Sequence, residues 1–193
     1  MVSFLYGVKD YLFRKMGILD IDRKLEKIVA TYYRMTPSVK SGVRKQKRKR
    51  KVIISFTTIP SRMDKVWITI ESLLRQTCKP DEIILWLAKD EFKGKDFPKR
   101  VKQQMRRGLT IRYCDNLKSY KKFYDTMKEN PDAFVVTVDD DIIYPEKMLE
   151  LLLKTYEENP NCIICNRSHL MRKSHGKLLP YCRWTYWVDR KEI

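Results

Sequence analysis

The amino-acid sequence predicts an α/β fold with a mainly parallel sheet, preceded by a basic helical extension. Beyond residue 51, short β-branched runs alternate with segments of helical periodicity, which is typical of βα units. The 193 residues are 43% hydrophobic and 34% charged, with only six Gly and eight Pro, as in globular proteins and unlike disordered chains. A chain of this length can bury a core without disulfide or metal staples. We therefore expect one domain of ordinary size and no second full domain.

Residues 1–50 predict a basic amphipathic helical extension that ends in a linker. Apolar side chains recur there at helical spacing, and we expect Gly17 to divide the segment into two helices. The apolar stripe consists of Leu5, Val8, Leu12, Met16, Ile21, Leu25, Ile28 and Tyr32. A linker over residues 36–42 is followed by residues 44–51, of which seven are Lys or Arg. Because these charges repel one another, the run predicts a solvated basic strap.

Residues 51–193 predict the α/β domain itself. It opens with a buried strand over residues 52–56, and Ser61 with Asp64 forms a capping-box signal for the helix that follows. The apolar face expected for this helix consists of Met63, Val66, Trp67, Ile70, Leu73 and Leu74. Further strands are predicted over residues 82–87, 109–113, 133–138 and 161–166. Further helices are predicted over residues 98–107, ended by Gly108, over 119–128 with Tyr120, Phe123, Tyr124 and Met127 inward, and from Pro145 to Glu158.

The net charge of +17 is concentrated in the extension. Residues 1–51 hold 15 basic and 4 acidic side chains, whereas the other 142 residues hold 26 and 20. This excess favours a polyanionic partner. Charged residues interrupt the first 15 positions, and no window approaches the roughly 18 consecutive apolar residues of a membrane span. With an odd number of Cys, five, the sequence predicts a cytoplasmic protein whose membrane contact is at most peripheral, on the inner face of the cell membrane.

Three loops are expected to meet at one edge of the sheet. In open α/β sheets, ligands bind outside the carboxyl ends of the strands. The loops at these ends span residues 57–62, 114–122 and 139–144. We therefore expect a ligand site where they converge.

The third of these loops begins with three consecutive carboxylates, Asp139, Asp140 and Asp141. Their mutual repulsion predicts a compensating cation. In an extended segment Asp139 and Asp141 point the same way and can share a divalent ion, while Asp140 faces elsewhere. Hard oxygen ligands favour Mg²⁺ or Mn²⁺ over Zn²⁺, and the open positions of such an ion suit a diphosphate, which Arg62 and Lys122 would help to neutralise. The alternatives are a plain acidic loop or a cap for the helix that begins near Pro145.

Four motifs in a fixed order resemble those of a known enzyme family. They are VIISFTTIPSR, QTCKPD, LTIRYCDNLKSYKKF and VVTVDDDIIYP, within residues 51–167. In this order they resemble the nucleotide-sugar-binding half of bacterial glycosyltransferases with the GT-A fold, of the capsular and surface polysaccharide type. The resemblance implies a Rossmann-like nucleotide-binding sheet. It also implies that Asp139–Asp141 is the family's Asp-x-Asp type motif, which binds Mn²⁺ or Mg²⁺ and the donor.

The resemblance also implies roles for other residues. Thr57, Thr58 and Arg62 would lie by the nucleoside, and Tyr120 and Lys122 near the donor. The nucleotide-sugar-binding set is then Thr57, Thr58, Arg62, Tyr120, Lys122, Asp139 and Asp140, with Asp139 and Asp141 as the metal ligands. The implied activity is transfer of a sugar from a nucleotide-diphosphate sugar to a saccharide or a lipid-linked acceptor.

In this family the acceptor site, and the general base of inverting enzymes, come from the segment after the metal motif. Only 52 residues follow Asp141. We therefore expect the acceptor part to be largely missing and identify no catalytic base. The alternative is a truncated, inactive remnant that still binds a nucleotide.

Three further interpretations compete for other parts of the chain. A zinc site of Cys162, Cys165, His169, His175 and Cys182 is disfavoured, because an intervening strand would turn the first two thiols to opposite sides, and buried thiols are the alternative. Residues 1–51 suit an anionic membrane surface, although their helices could instead pack on the domain. Nucleic-acid binding by the aromatic and basic residues 167–190 is the different-class alternative, and the acidic triplet argues against it. For Trp184, Tyr186 and Trp187, packing is favoured over stacking on a ligand.

Overall fold

A computed structural model describes residues 21–166 and 168–186 of the chain. The chain divides into two compact units, with the boundary after Glu150. The first of the two predicted N-terminal helices, and Trp187, lie outside the described residues. The side chains of residues 21–23 and 186 also lie outside the description.

The first unit alternates strands and helices as predicted. Its strands are β1 (Val52–Thr57), β2 (Glu82–Ala88), β3 (Leu109–Cys114) and β4 (Phe134–Thr137). Its helices are α1 (Ile21–Met35), α2 (Trp67–Leu74), α3 (Lys89–Phe92), α4 (Lys99–Met105) and α5 (Tyr124–Glu129). Short 3₁₀ turns over Pro60–Arg62 and Lys118–Lys122 complete it.

The four strands form one parallel sheet in the order β3-β2-β1-β4. Ser55 of β1 aligns with Ile84 of β2 on one side and with Thr137 of β4 on the other. The side chains of Ile53, Ile54 and Phe56 are fully buried, because helices cover a parallel sheet on its faces. The α/β class and the parallel sheet are thus confirmed, and the architecture is compatible with a Rossmann-like fold.

The strand order reverses beside β1. The chain proceeds from β1 to β2 and β3 in one direction and then returns to place β4 on the other side of β1. A reversal of this kind leaves a crevice between the loops that follow the two diverging strands. Here those loops are the ones that follow β1 and β4, the second of which begins with Val138 and the acidic triplet.

Helix α1 packs on the first unit through a face that differs in part from the predicted stripe. Leu25, Val29 and Tyr33 are buried, whereas Ile28 is 54% exposed. Residues spaced by four also share one helix face, so Leu25 can be continued by Val29 and Tyr33 instead of Ile28. The guanidinium of Arg75 lies 4.7 Å from the centre of the Tyr33 ring and fixes this face against the body.

The basic strap is only partly solvated, which corrects the prediction. The Arg48 Nε lies 3.3 Å from Asp81, and the Arg50 Nε donates to the Asp132 carbonyl at 2.8 Å. The Lys51 ammonium pairs with Glu82 at 2.8 Å. Lys45, Gln46, Lys47 and Lys49 are exposed. Pairing of Arg48, Arg50 and Lys51 with acceptors of the body offsets part of the repulsion within the strap.

The expected capping box at Ser61 and Asp64 is wrong. Residues 60–62 form a 3₁₀ turn, α2 begins only at Trp67, and among the described residues no side chain caps it. The Arg62 carbonyl instead accepts hydrogen bonds from the amides of Lys65 and Val66, at 2.9 and 3.0 Å. The predicted apolar face is confirmed, since Met63, Val66, Trp67, Ile70, Leu73 and Leu74 are all buried.

The segment predicted as a helix over residues 119–128 is also different. A 3₁₀ turn over Lys118–Lys122 precedes α5, and the predicted inward side chains Tyr120, Tyr124 and Met127 are 64%, 49% and 46% exposed. The buried side chains of this segment are Lys121 and Thr126. Polar contacts of Thr126 with the sheet fix the rotation of α5, which apolar periodicity could not reveal.

Residues 151–186 carry most of helix α6 (Met148–Glu158) and two small antiparallel sheets. Strand β5 (His169–Leu170) pairs with β8 (Thr185–Tyr186), and β6 (Lys173–Ser174) pairs with β7 (Lys177–Leu178). The strand expected over residues 161–166 is wrong, because these described residues form an exposed loop in which Ile163 is 98% exposed. Helix α6 begins three residues after Pro145.

Two predictions for this region concern the burial of its cysteines and the packing of its aromatic side chains. Cys162, Cys165 and Cys182 are exposed, so the expectation of buried thiols is wrong for them. The Trp184 indole donates to the Leu179 carbonyl at 2.8 Å, and its ring contacts Tyr181 edge-on at 5.2 Å. Trp184 therefore serves packing, as predicted.

Candidate functional site

A cavity of about 500 Å³ opens at the carboxyl ends of the strands. The loops after β1, β3 and β4 all contribute to it, as the sequence predicts. Seven of the predicted site residues line this cavity, which we call the acidic cavity: Thr57, Thr58, Arg62, Lys122, Asp139, Asp140 and Asp141. It lies beside the reversal of strand order, where ligands of open α/β sheets bind.

Asp140 joins the two loops that flank the reversal. Its carboxylate accepts from the Thr58 hydroxyl at 2.5 Å and from the Arg62 guanidinium at 2.7 Å. Its backbone carbonyl accepts from the Thr69 hydroxyl of α2 at 2.9 Å. With only 9% of its side chain exposed, Asp140 has both carboxylate oxygens engaged by the protein. It is therefore a structural anchor for the loop after β4.

Asp139 and Asp141 face the solvent instead, each with 55% of its side chain exposed. The Lys122 ammonium lies 2.9 Å from Asp139, and the Arg62 guanidinium lies 3.1 Å from Asp141. Among these side-chain contacts, Arg62 bridges Asp140 and Asp141, whereas Lys122 pairs with Asp139. That Asp139 and Asp141 share a divalent ion stays a prediction. The chain turns at residues 140 and 141, so the alternation of an extended strand stops there.

The charges of the acidic cavity are balanced within a strongly basic protein. The cations are Arg62, Lys118, Lys121 and Lys122, and the carboxylates are Glu91, Asp139, Asp140 and Asp141. The hydrogen bond and the charge of Asp140, aided by Asp141, raise the pKa of Arg62 above its usual value. Its guanidinium is charged at any physiological pH, as arginine normally is.

Lys121 is a cavity residue that the sequence analysis missed. Only 2% of it is exposed, and its ammonium lies 3.4 Å from the Asn116 amide oxygen and 3.7 Å from Glu91. In a 3₁₀ turn successive side chains point about 120° apart, so adjacent lysines face different surroundings. The only sequence signal was the pair Lys121-Lys122, which does not say which lysine turns inward.

The carboxylates at the mouth of the acidic cavity suit a hard divalent cation. Mg²⁺ in particular often uses one or two carboxylates and completes its coordination with water and substrate phosphates. Asp139 and Asp141 provide such oxygens at an exposed position. Across the described residues, no three His, Cys, Asp or Glu side chains are grouped as a metal site. The donor set therefore fits Mg²⁺ or Mn²⁺ only together with a ligand that supplies further oxygens.

Tyr120 lies apart from the other predicted site residues. It lines a neighbouring cleft of about 690 Å³ together with Trp86, Tyr113 and Tyr124. The 3₁₀ turn over Lys118–Lys122 separates the two spaces, because Lys118, Lys121 and Lys122 line the acidic cavity while Tyr120 faces the cleft.

Comparison with known proteins leaves the family open. The chain matches no protein-family model, and no curated protein matches it significantly. Within the part of the chain that the structure describes, no helix is both long and apolar enough to cross a membrane.

Proposed function

We propose that this chain is a metal-dependent glycosyltransferase with a GT-A type nucleotide-binding sheet, which binds a nucleotide-sugar donor in the acidic cavity. The observation that carries the proposal is the convergence of three loops beside the reversal of strand order. That convergence brings Thr57, Thr58, Arg62, Lys122 and the acidic triplet to one cavity. This is the position, and the mixture of charges, that a nucleoside diphosphate with a divalent ion requires.

Arg62 and Lys122 are the residues proposed to bind the diphosphate. Both project into the cavity, and both neutralise exposed carboxylates in the free protein. A guanidinium binds phosphate oxygens with two parallel hydrogen bonds, whereas an ammonium acts as a point charge. We expect the diphosphate to draw both cations away from Asp139 and Asp141, which frees these carboxylates for the divalent ion.

Asp139 and Asp141 are the proposed ligands of Mn²⁺ or Mg²⁺. When bound, the ion supplies Lewis-acid stabilisation of the charge that develops on the departing nucleoside diphosphate. Asp140 is proposed as a positioning residue, because Thr58 and Arg62 already occupy its carboxylate. Thr57 holds the end of β1 by donating to the Trp86 carbonyl at 2.8 Å.

The proposed reaction is attack of an acceptor hydroxyl oxygen on the anomeric carbon of the donor sugar. A carbon–oxygen bond to the acceptor forms, and the bond to the diphosphate breaks with its electron pair leaving on the diphosphate. The hydroxyl proton passes to a base, which we do not assign within the described residues. The proposed acceptor is a saccharide or a lipid-linked molecule.

Thermal unfolding with nucleoside diphosphates tests the proposal. We expect UDP, GDP or ADP to raise the melting temperature in the presence of MnCl₂ and much less in its absence. A ligand at 100 times its Kd stabilises by about 2.7 kcal/mol, which for a protein of this size raises Tm by several degrees. Asp141→Ala should remove the manganese-dependent part of the shift.

The matched control is Asp96→Ala, which removes another exposed aspartate, one paired with Lys102 at 2.6 Å and remote in sequence from the acidic triplet. It should leave the shift unchanged. If no nucleoside diphosphate raises Tm, the nucleotide-binding function is wrong. If the shift is the same in Asp141→Ala, the metal assignment is wrong.

A further inference from the structure

The aromatic cleft beside the acidic cavity has the lining of a second ligand site. It occupies about 690 Å³ at the carboxyl ends of β2 and β3, a volume suited to a small organic ligand. Its lining includes Trp86, Tyr113, Leu117, Tyr120, Tyr124 and Asp125. The proposed donor site uses none of them.

Large side chains are unusually exposed around this cleft. Tyr113, Tyr120 and Tyr124 are 42%, 64% and 49% exposed, and Leu117 is 38% exposed. They come from β3, the loop after it, the 3₁₀ turn and α5, all within residues 113–124. Clustered exposed aromatics indicate a surface that receives a ligand, whereas scattered ones need no explanation.

The floor of the cleft is fixed by buried hydrogen bonds. Trp86 is 3% exposed, and its indole Nε1 donates to the Thr126 hydroxyl at 2.7 Å. The same hydroxyl bonds to Ser55 at 2.8 Å, and both Ser55 and Thr126 are fully buried. Helix α5, which carries Tyr124, is thereby tied to β1 and β2. A ligand would meet a preformed surface, which reduces the entropic cost of binding.

The charges of the cleft are nearly balanced. Its lining carries the carboxylates Asp115, Asp125 and Glu129 and the ammonium groups of Lys89 and Lys128. Glu129 pairs with the guanidinium of Arg112, and Lys89 pairs with Asp115 at 3.1 Å. Lys128 lies 5.9 Å from the centre of the Tyr124 ring. The cleft therefore lacks the excess of cations that a polyanion such as a nucleic acid requires.

We infer that this aromatic cleft binds a saccharide. The C–H face of a pyranose ring is apolar and stacks on the face of a tyrosine, while its hydroxyls require acceptors such as the carboxylate of Asp125. The assignment of this cleft as the acceptor site rests on the proposed function. The 3₁₀ turn over Lys118–Lys122 forms a wall of both spaces, so a saccharide in the cleft lies next to the donor cavity.

Saturation-transfer NMR tests saccharide binding without any nucleotide. The probes are lactose, maltose and chitobiose, each added alone to the full chain. We expect transfer from protein aromatic protons to pyranose C–H protons for at least one of them. Tyr120→Ala and Tyr113→Ala should each reduce this transfer at least fivefold, with an unchanged melting temperature, because both side chains are exposed.

Met127→Ala is the matched control, since Met127 is a 46% exposed residue of α5 that is not part of the cleft lining. It should retain the transfer. Absence of transfer for all three saccharides, or transfer that survives the tyrosine substitutions, overturns the inference. Tyr120-dependent transfer to uridine but to no saccharide also overturns it and makes the cleft a nucleobase site.

The failure of this inference is distinguishable from failure of the proposed function. The part of the thermal shift that Asp141→Ala removes reports on the acidic cavity, because Asp141 lines that cavity and not the cleft. A protein that shows that shift without saccharide transfer refutes the saccharide cleft and keeps the donor site. Saccharide transfer without the nucleotide shift supports the cleft as a saccharide site and refutes the donor site.

Discussion

Asp140 is the single residue on which the shape of the acidic cavity depends most. Its carboxylate is the partner of the buried Thr58 hydroxyl and of Arg62. We predict that Asp140→Ala lowers the free energy of unfolding by about 2–3 kcal/mol, because it leaves a buried hydroxyl unpaired and removes a charge-assisted hydrogen bond. Asp141→Ala, at an exposed ion pair, should change it by less than about 1 kcal/mol. Urea denaturation of both variants measures the difference, and a stabilising effect of Asp140→Ala would contradict the anchoring role.

Glu71 is the buried carboxylate whose charge the fold stabilises. Burial opposes its ionisation, but hydrogen bonds from Arg75 at 2.7 Å and Arg107 at 2.6 Å outweigh burial and lower its pKa. A carboxylate with a lowered folded-state pKa stabilises the protein above its unfolded pKa of about 4.3. This contribution is lost as the pH falls from there through the folded-state pKa.

We therefore predict that Glu71→Gln lowers the free energy of unfolding by about 3 kcal/mol at pH 7, because it leaves two partly buried guanidinium groups without their carboxylate. The difference from the natural protein should shrink as the pH falls below about 4. Denaturation at several pH values measures it. A difference that stays constant down to pH 3 would contradict the assignment.

Residue type, strand position and motifs predicted seven of the side chains that line the acidic cavity, but not how they pair. Thr57, Thr58, Arg62 and Lys122 were found because they follow strands or occur in the motifs. The pairing of Arg62 with both Asp140 and Asp141 depends on a turn that residue types do not specify. Lys121 was missed because a lysine normally lies at the surface, and only tertiary packing buries this one.

At the scale of elements, the hydrogen bonds that tie α5 to the sheet set the orientation of the loop before it. Thr126 accepts from the Trp86 indole and bonds to Ser55, all three side chains being buried. Thr126→Val conserves shape but leaves two buried polar groups unpaired. We predict a loss of at least about 2 kcal/mol in unfolding free energy.

The control for this prediction is Thr110→Val on β3, where the threonine is exposed. It should change stability by less than about 0.5 kcal/mol. Chemical denaturation followed by tryptophan fluorescence compares the two variants. Equal effects would mean that the buried network does not hold α5.

Strands were predictable where both faces of the sheet are buried, and other elements were less so. The runs that became β1 and β2 are continuous apolar segments, which in an α/β chain form central parallel strands. Residues 161–166 have the same apolar character in Ile163 and Ile164 but lie in an exposed loop, because tertiary context decides the fate of a short apolar run. Ser61 and Asp64 match a capping-box pattern, yet a 3₁₀ turn begins at Pro60 and the helix begins only at Trp67.

For the molecule as a whole, the uneven charge distribution indicates a second binding partner in addition to the proposed donor. The exposed cations of the strap include Lys45, Lys47 and Lys49, and residues 1–51 are proposed to meet an anionic membrane surface. The buried face of α1 packs on the body, so within the described residues this contact would be largely electrostatic.

We predict that the strap drives binding to anionic vesicles. Replacing Lys45, Lys47 and Lys49 by Gln should weaken sedimentation with phosphatidylserine vesicles by about 1 kcal/mol per lysine and reduce its salt dependence. The control replaces the exposed Lys93, Lys95 and Lys99 by Gln. Equal losses in both triple variants would show that only total charge matters.

The position of the candidate site was predictable from the strand pattern, because the carboxyl ends of parallel strands share one edge. The reversal of strand order between β1 and β4 was not, since residues 134–137 could have paired beside β3. The aromatic cleft was also hidden, because periodicity places Tyr120 and Tyr124 in the core. The cleft exists because Lys121 and Thr126 are the buried side chains of this segment, which leaves Tyr120 and Tyr124 exposed.

The most direct test of the central claim is a crystal grown with Mn²⁺ and the nucleoside diphosphate that raises Tm most, measured at the manganese absorption edge. We predict one anomalous peak between the diphosphate and Asp139 or Asp141, with Arg62 and Lys122 moved onto phosphate oxygens. A diphosphate bound elsewhere, or carboxylates still paired with Arg62 and Lys122 and without a manganese peak, would contradict it.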